Sequence, residues 1–250
     1  MYYFILSLFL VISSGLGTLS YLVARSSPDV NKIHNCFFTQ MNKVHLCPNS
    51  KDYVSLEEIS PYLIQAVLIS EDAGFYSHKG FDWFEVKESF RENLRKKSFA
   101  RGGSTITQQL VKNLYLSGEK SLVRKLIEAY VTVQVEQKLT KPEILEKYLN
   151  VIEFAPKIYG IKVASYYFFQ KPPADLSLLE SAFIAHVLPN PKLYSKNFLS
   201  GKLSEFNKER MIDIINKLYF YKKISEEEQV ESLTDLDQAV FPSSQQPNWL

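Results

Sequence analysis

Hydrophobic residues recur at helical spacing along most of the chain, and the strict alternation typical of a half-buried strand is nearly absent. Ile106, Leu110 and Leu114 repeat every fourth residue, which predicts an amphipathic helix with a narrow buried stripe. Two longer amphipathic segments run from Leu122 to Leu139 and from Gly201 to Lys223. The pattern therefore predicts a mainly α fold.

Helix-start signals agree with this prediction. Ser60-Pro61 places a proline at the first helical position of an apolar run that ends at Glu71-Asp72. Four Ser or Thr residues are followed three positions later by Glu, the spacing of a capping box. They are Ser55 with Glu58, Thr140 with Glu143, Ser177 with Glu180 and Ser225 with Glu228. The composition, 46% hydrophobic and 22% charged, suits a folded domain rather than a disordered chain.

The N-terminal segment from Tyr2 to Ala24 contains no charged residue. At the helical rise, a segment of this length spans the roughly 30 Å hydrocarbon core of a bilayer. A cleavable signal peptide is the alternative, but its apolar region is normally about 7–15 residues and follows basic residues. We therefore predict one transmembrane helix over residues 1–25, and because only Arg25 flanks it, the positive-inside rule does not orient it.

Residues 26–54 show no strong periodicity, so they fit a stalk, a lid or a docking surface equally well. Cys36 and Cys47 lie in this segment. Outside the cytoplasm a bridge between them would close a short loop and add about 2–3 kcal/mol. His34 and His45 each precede a cysteine by two residues, a spacing unlike that of zinc sites, so we expect a structural role.

The polar run from Gly102 to Asn113 has the pattern of a binding site. Its two glycines permit close approach to a ligand, and Ser104 is a good N-cap for a helix beginning near Thr105, where N–H groups would face an anion. A Gly-rich turn before an ordinary surface helix is the alternative on local pattern alone. The helical spacing gathers one cation and three amides away from the buried stripe: Gln108, Gln109, Lys112 and Asn113.

Charge is unevenly distributed around this run. Residues 87–125 hold an excess of Lys and Arg over three glutamates, whereas the whole chain has a net charge of only +2, which favours an anionic partner. Arg124 and Glu128 share one helical face, although this spacing is also typical of ordinary surface ion pairs. Glu71 and Asp72 stand near a helix C-terminus, where the dipole disfavours carboxylates by up to about 1 kcal/mol. Such an uncompensated local conflict indicates function.

Four segments together resemble a known family. They are Glu71 to Asp82, Gly102 to Asn113, Arg124-Lys125 with Glu128, and Lys141 to Asn150. In this order they resemble the peptidoglycan glycosyltransferases of family 51, the transglycosylase module of penicillin-binding proteins. The similarity covers roughly residues 56–194, and a weaker similarity continues to about Glu228. No Ser-x-x-Lys pattern follows it, so the resemblance is to the monofunctional type.

The resemblance implies a lysozyme-like glycosyltransferase domain, which we place at residues 55–235, followed by a tail at 236–250. It implies polymerisation of lipid II into glycan strands, with inversion at the anomeric carbon and release of undecaprenyl pyrophosphate. The domain would lie on the periplasmic, extracytoplasmic side of the cytoplasmic (inner) membrane. Implied partners are the membrane, lipid II and the glycan strand, with transpeptidases and other cell-wall synthesis proteins as candidates and no nucleic acid. No cofactor is implied beyond an optional divalent cation, Mg or Mn.

The resemblance also assigns site residues. Glu71 matches the catalytic glutamate, which takes the proton from the acceptor hydroxyl, and Glu128 matches a second glutamate that orients cations, with a candidate Mg nearby. Asp72 and His78 match as supporting residues, and we expect them to hold a loop rather than to react. The positions that match the pyrophosphate-binding motif are Ser104, Gln108, Gln109, Lys112, Asn113, Lys120, Arg124 and Lys125.

The sequence departs from the family pattern at four positions. Ile127 stands where Lys is frequent, and Ala155, Lys157 and Gln170 stand where Gly is usual. These changes would reshape a loop near the cleft and weaken one phosphate contact. Two alternatives therefore remain: a catalytically weakened scaffold that binds lipid II or glycan, and a lysozyme-like lytic enzyme, which needs no pyrophosphate site. A nucleic-acid binder is disfavoured because no recognised motif is present.

An aromatic segment precedes the basic run. Aromatic and basic side chains in this combination fit a lip that dips into an anionic membrane, while packing of the aromatics in the core is the alternative. The apolar members are Phe81, Trp83, Phe84, Val86, Phe90 and Phe99, and the basic members are Arg91, Arg95, Lys96 and Lys97.

Overall fold

The structure is a computed structural model that describes residues 14–238, apart from 16, 19, 97–101, 120 and 200–202. Helices α1 to α10 dominate it, so the predicted mainly α fold is confirmed. The helices are α1 (Pro61–Glu71), α2 (Trp83–Lys96), α3 (Ile106–Tyr115), α4 (Leu122–Lys138), α5 (Lys141–Val151), α6 (Ile161–Phe169), α7 (Leu178–Val187), α8 (Pro191–Leu199), α9 (Glu205–Phe220) and α10 (Glu226–Gln238). Short 3₁₀ helices form at Val30–His34, Leu56–Glu58 and Pro173–Asp175.

Strand content is small in the described part of the chain. Strands β1 (Phe37–Phe38) and β2 (His45–Leu46) form one antiparallel pair, and β3 (Glu153–Ala155) and β4 (Ile158–Tyr159) form another. Both pairs are hairpins at the edge of the helical body. They add turns rather than a sheet layer.

The helices pack in two groups around one core. Helix α1 packs against α7 and α9, and α3 packs against α4 and α5. Leu63 and Phe183 are fully buried in the first group, and Leu110 and Leu149 are fully buried in the second. The two groups meet where α1 ends beside the polar face of α3, and this junction positions the candidate site.

All four predicted capping boxes form. The predicted N-cap of α3, Ser104, is wrong by one residue, because Thr105 is the cap and its hydroxyl accepts from Gln108 N. Thr105 Oγ1 also donates to Gly80 O at 2.7 Å. This contact with the loop at Gly80 favours Thr105 over Ser104 as the N-cap.

The segment before α1 folds onto the helical body. A disulfide joins Cys36 to Cys47, with 4.3 Å between their Cα atoms, and closes the β1–β2 hairpin. The hairpin loop reaches the C-terminus of α3, where Gln40 N donates to Leu114 O at 2.9 Å. Val54 is held by the side chain of Asn150, whose Nδ2 donates to Val54 O at 2.8 Å. Residues 30–54 are therefore part of the domain's packing.

The predicted transmembrane helix at residues 1–25 lies mostly outside the described residues, as does most of the tail at 236–250. Within the described part, no helix combines the length and the apolar character needed to cross a bilayer.

At two of the positions where the family usually has Gly, the backbone adopts the left-handed conformation that favours Gly. Lys157 has φ 67° in the β3–β4 turn, and Gln170 has φ 57° at the C-cap of α6. Left-handed backbone costs a residue with a Cβ roughly 1–2 kcal/mol. Lys157 and Gln170 therefore carry a backbone strain that glycine would avoid at these positions.

Candidate active site

A cleft of about 870 Å³ opens where α1, α3 and α9 meet. Several predicted site residues line it together. They are Glu71, Asp72, Ser104, Gln109, Lys112 and Asn113. The lining does not include Gln108, Arg124, Lys125 or Glu128. The cleft therefore gathers the first two sequence motifs and leaves the third outside its wall.

Glu71 is the last residue of α1 and faces the cleft. Gln109 Nε2 donates to its Oε2 at 2.8 Å. Burial of the carboxyl raises the pKa of Glu71, and the neighbouring charge of Asp72 raises it further, whereas the Gln109 bond and the Arg210 charge lower it. A carboxylate with a raised pKa is a better base for a sugar hydroxyl than an ordinary glutamate.

Asp72 holds three pieces of backbone together. Its Oδ2 accepts from Ile106 N at 2.9 Å, and its Oδ1 accepts from His78 Nε2 at 2.9 Å. Gly80 N donates to His78 Nδ1 at 3.1 Å, so Nε2 carries the ring proton. The Asp72 carboxylate also meets the N-terminus of α3, which offsets its unfavourable position at the end of α1. These contacts favour the structural role predicted for both residues.

The two neighbouring glutamines, Gln108 and Gln109, make different hydrogen bonds. Gln108 is buried, and its Oε1 accepts from Thr105 N at 3.1 Å within the capping box of α3. Gln109 contacts Glu71 through Nε2 and accepts from Tyr148 OH through Oε1 at 3.0 Å. The contacts that the structure gives these two amides are therefore to the protein itself.

Glu128 lies on α4 with only 2% of its surface exposed. Its Oε2 pairs with Arg124 Nη1 at 3.1 Å, and its Oε1 pairs closely with Lys125 Nζ. Arg124 Nε is also buried and has no hydrogen-bond partner among the described residues. The carboxylate therefore orients two cations, as the resemblance implies.

A divalent ion finds little support at Glu128, because both of its oxygens already meet cations. Within the described ranges, the ligand atoms that come close enough to share a metal belong to Asp72, His78 and Asp82. There the His78 Nε2 proton already points at Asp72, and Asp82 Oδ1 accepts from Glu85 N at 2.9 Å. The atoms satisfy one another, so neither place fits a divalent cation well. Lys120 lies outside the described residues.

Comparison with known proteins identifies the family. A family model described as Transglycosylase matches residues 39–219. The chain belongs to the transglycosylase family. The match begins within the hairpin loop and ends within α9, so the family region starts before the predicted residue 56, and its end lies inside the weaker similarity predicted to about Glu228.

Curated relatives of this transglycosylase carry the name biosynthetic peptidoglycan transglycosylase. The protein from Alcanivorax borkumensis is 47% identical over 144 residues, which are 58% of this chain and 59% of that protein. The protein from Nitrosospira multiformis is 40% identical over 160 residues, 64% of this chain and 69% of that protein. The chain thus spans less than two thirds of the length of the first relative. Among solved structures, penicillin-binding protein 1A from Haemophilus influenzae matches with a TM-score of 0.41 and 18% identity, over 84% of this chain and 22% of that one.

Sequence motifs missed one wall of the transglycosylase cleft. Arg210 and Lys217 line it from α9, and Met41 and Asn42 line it from the hairpin loop. The only sequence signal for α9 was its apolar pattern. A spacing of two helical turns puts Arg210 and Lys217 on one face, a signal that could have identified them.

Helix α2 presents its aromatic residues to solvent. Trp83 is 72% exposed, Phe84 70% and Phe90 64%, so the alternative that these residues pack in the core is wrong. Ser89 is the buried residue of this helix. Arg91 and Arg95 are exposed beside the aromatics, while Lys97 and Phe99 lie outside the described residues.

Proposed function

We propose that this protein polymerises lipid II into peptidoglycan glycan strands, inverting the anomeric centre and releasing undecaprenyl pyrophosphate. The observation that carries the proposal is the position of Glu71 in a cleft whose walls also hold Lys112, Arg210 and Lys217. A base and several cations in one cleft suit the transfer of a sugar from a pyrophosphate. The relatives' name, biosynthetic peptidoglycan transglycosylase, supports the same activity.

Glu71 and the cations of the cleft have separate tasks in this reaction. The Glu71 carboxylate takes the proton of the acceptor 4-hydroxyl while that oxygen attacks the anomeric carbon of the donor. The bond from that carbon to the pyrophosphate oxygen breaks, and its electron pair leaves with the pyrophosphate. Lys112 and the cations of α9 meet the growing negative charge, which lowers the barrier electrostatically. Attack opposite the leaving group inverts the centre.

Arg124, Lys125 and the predicted Lys120 form a second cationic group in this proposal. Glu128 holds Arg124 and Lys125 at the N-terminal turns of α4. We place this group on the path of the lipid-linked pyrophosphate, next to the cleft wall formed by α3. This cationic group favours synthesis over a lytic reaction, which would not need it.

The exposed aromatic face of α2 suits a domain that works against a bilayer. Trp83, Phe84 and Phe90 would enter the interface, and the basic residues of the same helix would meet anionic headgroups. With the predicted anchor at residues 1–25, this arrangement confines the enzyme to the surface that holds its substrate, which raises the effective concentration. The Cys36–Cys47 bridge fits an extracytoplasmic location.

A direct assay tests the proposal. The full chain in detergent is incubated with labelled lipid II, with and without Mg²⁺, beside Glu71→Gln and the exposed-site control Glu57→Gln. We expect muramidase-sensitive polymer from the wild type and the control, and none from Glu71→Gln. Intact lipid II in every lane, despite measurable binding, would replace the proposal with the scaffold alternative. Shortening of preformed glycan would replace it with the lytic one.

A further inference from the structure

Tyr148 is a fully buried tyrosine whose hydroxyl points at the candidate site. It lies on α5, with 0% of its surface exposed, and donates to Gln109 Oε1 at 3.0 Å. Gln109 Nε2 then donates to Glu71 Oε2 at 2.8 Å. Side chains from α5, α3 and α1 thus form one directed chain of hydrogen bonds that ends on the Glu71 carboxylate.

The direction of this chain follows from the chemistry of the groups. A carboxamide has one acceptor oxygen and one donor nitrogen, so the partner of the oxygen decides where the nitrogen points. Burial raises the pKa of Tyr148 well above its ordinary value, and the charges of Glu71 and Asp72 raise it further. The phenol therefore keeps its proton and remains a donor. While Tyr148 donates to the oxygen of Gln109, the nitrogen must face Glu71.

We propose that Tyr148 is a positioning residue for the glycosyl transfer, which fixes the amide of Gln109 and through it the carboxylate of Glu71. The inference rests on the proposed function of Glu71 as the base. It replaces the predicted pyrophosphate contact of Gln109 with a contact to the base. Neither Tyr148 nor Gln109 is required to touch the substrate.

Loss of the Tyr148 hydroxyl should change the environment of the Gln109 amide. Without the hydroxyl, the Gln109 oxygen loses a buried donor, and the amide gains freedom to turn that oxygen toward Glu71. The Gln109 donor bond lowers the pKa of Glu71 against the effect of burial, so its loss raises that pKa. A smaller fraction of molecules then holds Glu71 in its ionised form at any pH on the acid side of the rate profile. In the Tyr148→Phe variant, the phenyl ring still fills the same space in the core.

The test compares Tyr148→Phe with Tyr115→Phe. The Tyr115 hydroxyl is also buried and has no hydrogen-bond partner among the described residues, so its removal controls for loss of a phenol oxygen. We expect Tyr148→Phe to lower kcat about 10-fold with KM changed less than about 2-fold, and to move the acid limb of the rate profile up by about one pH unit. Tyr115→Phe should match the wild type in kcat, in KM and in the pH of the acid limb.

A second measurement does not depend on activity. Carbon-13 NMR of glutamate-labelled full chain follows the Glu71 carboxyl, assigned by its absence in Glu71→Gln. Tyr148→Phe should raise the titration midpoint of this signal, and adding it to Gln109→Leu should produce no further rise. An unchanged midpoint in Tyr148→Phe, or additive effects in the double variant, would overturn the inference. If wild-type protein makes no polymer, the proposed function fails while the titration still decides whether Tyr148 positions Glu71.

Discussion

The carboxylate of Asp72 accepts a hydrogen bond of 2.9 Å from the backbone N–H of Ile106. This bond and the one from Gln109 Nε2 to Glu71 Oε2 tie the end of α1 to α3, the helix that also carries Lys112. Because Glu71 and Lys112 lie on different helices, their separation depends on these contacts. Asp72 therefore acts on the site through backbone geometry.

Asp72→Asn should loosen this tie. Its side chain is buried, and an amide cannot accept from both Ile106 N and His78 Nε2 with the same two atoms. We expect a loss of about 2 kcal/mol in the free energy of unfolding, measured by urea titration, together with reduced polymerisation. Asp52→Asn, at an exposed carboxylate, is the control and should change neither. Equal stability of the two variants would contradict the structural role of Asp72.

The pH dependence of activity should report the environment of Glu71. As the proposed base, Glu71 would work when ionised, and burial raises its pKa, so activity should fall as the pH drops through a value above that of an ordinary glutamate. Arg210 lowers this pKa, so Arg210→Ala should move the acid limb of kcat/KM to higher pH, while Arg210→Lys keeps the charge and should restore it. Lys217→Ala, on the same wall, should raise KM without moving the limb. A limb that stays fixed in Arg210→Ala would separate Arg210 from Glu71.

The ion pairs of Glu128 should differ in strength. Its carboxylate is buried, the side chain of Arg124 is 20% exposed, and that of Lys125 is 48% exposed. We expect Arg124→Ala to lower the free energy of unfolding by about 2 kcal/mol and Lys125→Ala by less than about 1 kcal/mol. Chemical denaturation of the two variants checks the order. The reverse order would mean that Lys125 is the main partner of the carboxylate.

His186 should make the fold sensitive to acid. It is 2% exposed on α7 and stacks on Tyr194 with 4.9 Å between ring centroids. Burial lowers its pKa from 6.5 to about 4, so the unfolded chain takes up a proton before the folded one as the pH falls. Stability should therefore decline between these two values, by about 3 kcal/mol in total.

Urea unfolding at neutral and mildly acidic pH measures this decline. His186→Gln should flatten the dependence on pH in this window, whereas His45→Gln, at an exposed histidine, should leave it unchanged. A wild-type stability that is constant across the window would show that protonation of His186 is accommodated in the folded state.

Much of the fold follows from local chemistry. Helix α4 occupies nearly the whole predicted segment from Leu122 to Leu139, and every predicted capping box forms, because these features depend on residues within a few positions of one another. The N-cap of α3 was placed one residue early because Thr105 is selected by Gly80, a partner 25 positions away. Local preference cannot include such a contact.

The site was predictable only in part for the same reason. Glu71 and Lys112 were identified from their motifs, and both line the cleft. Arg210 was missed because its relation to Glu71 arises from the packing of α9 against α1. Gln108 and Gln109 look equivalent in the sequence, yet successive residues of a helix point about 100° apart. Gln108 therefore joins the capping box with Thr105, while Gln109 donates to Glu71.

The hairpin closed by Cys36 and Cys47 makes one end of the cleft sensitive to the redox state of these two cysteines. Its loop supplies N–H donors to the last carbonyl groups of α3, including that of Asn113, and contributes Met41 to the cleft. Before the bridge forms, as in a reducing cytosol, the loop has fewer restraints and the helix end beside Lys112 loses these donors more readily. The bridge thus links the redox state of two cysteines to the order of the helix end that carries one wall of the cleft.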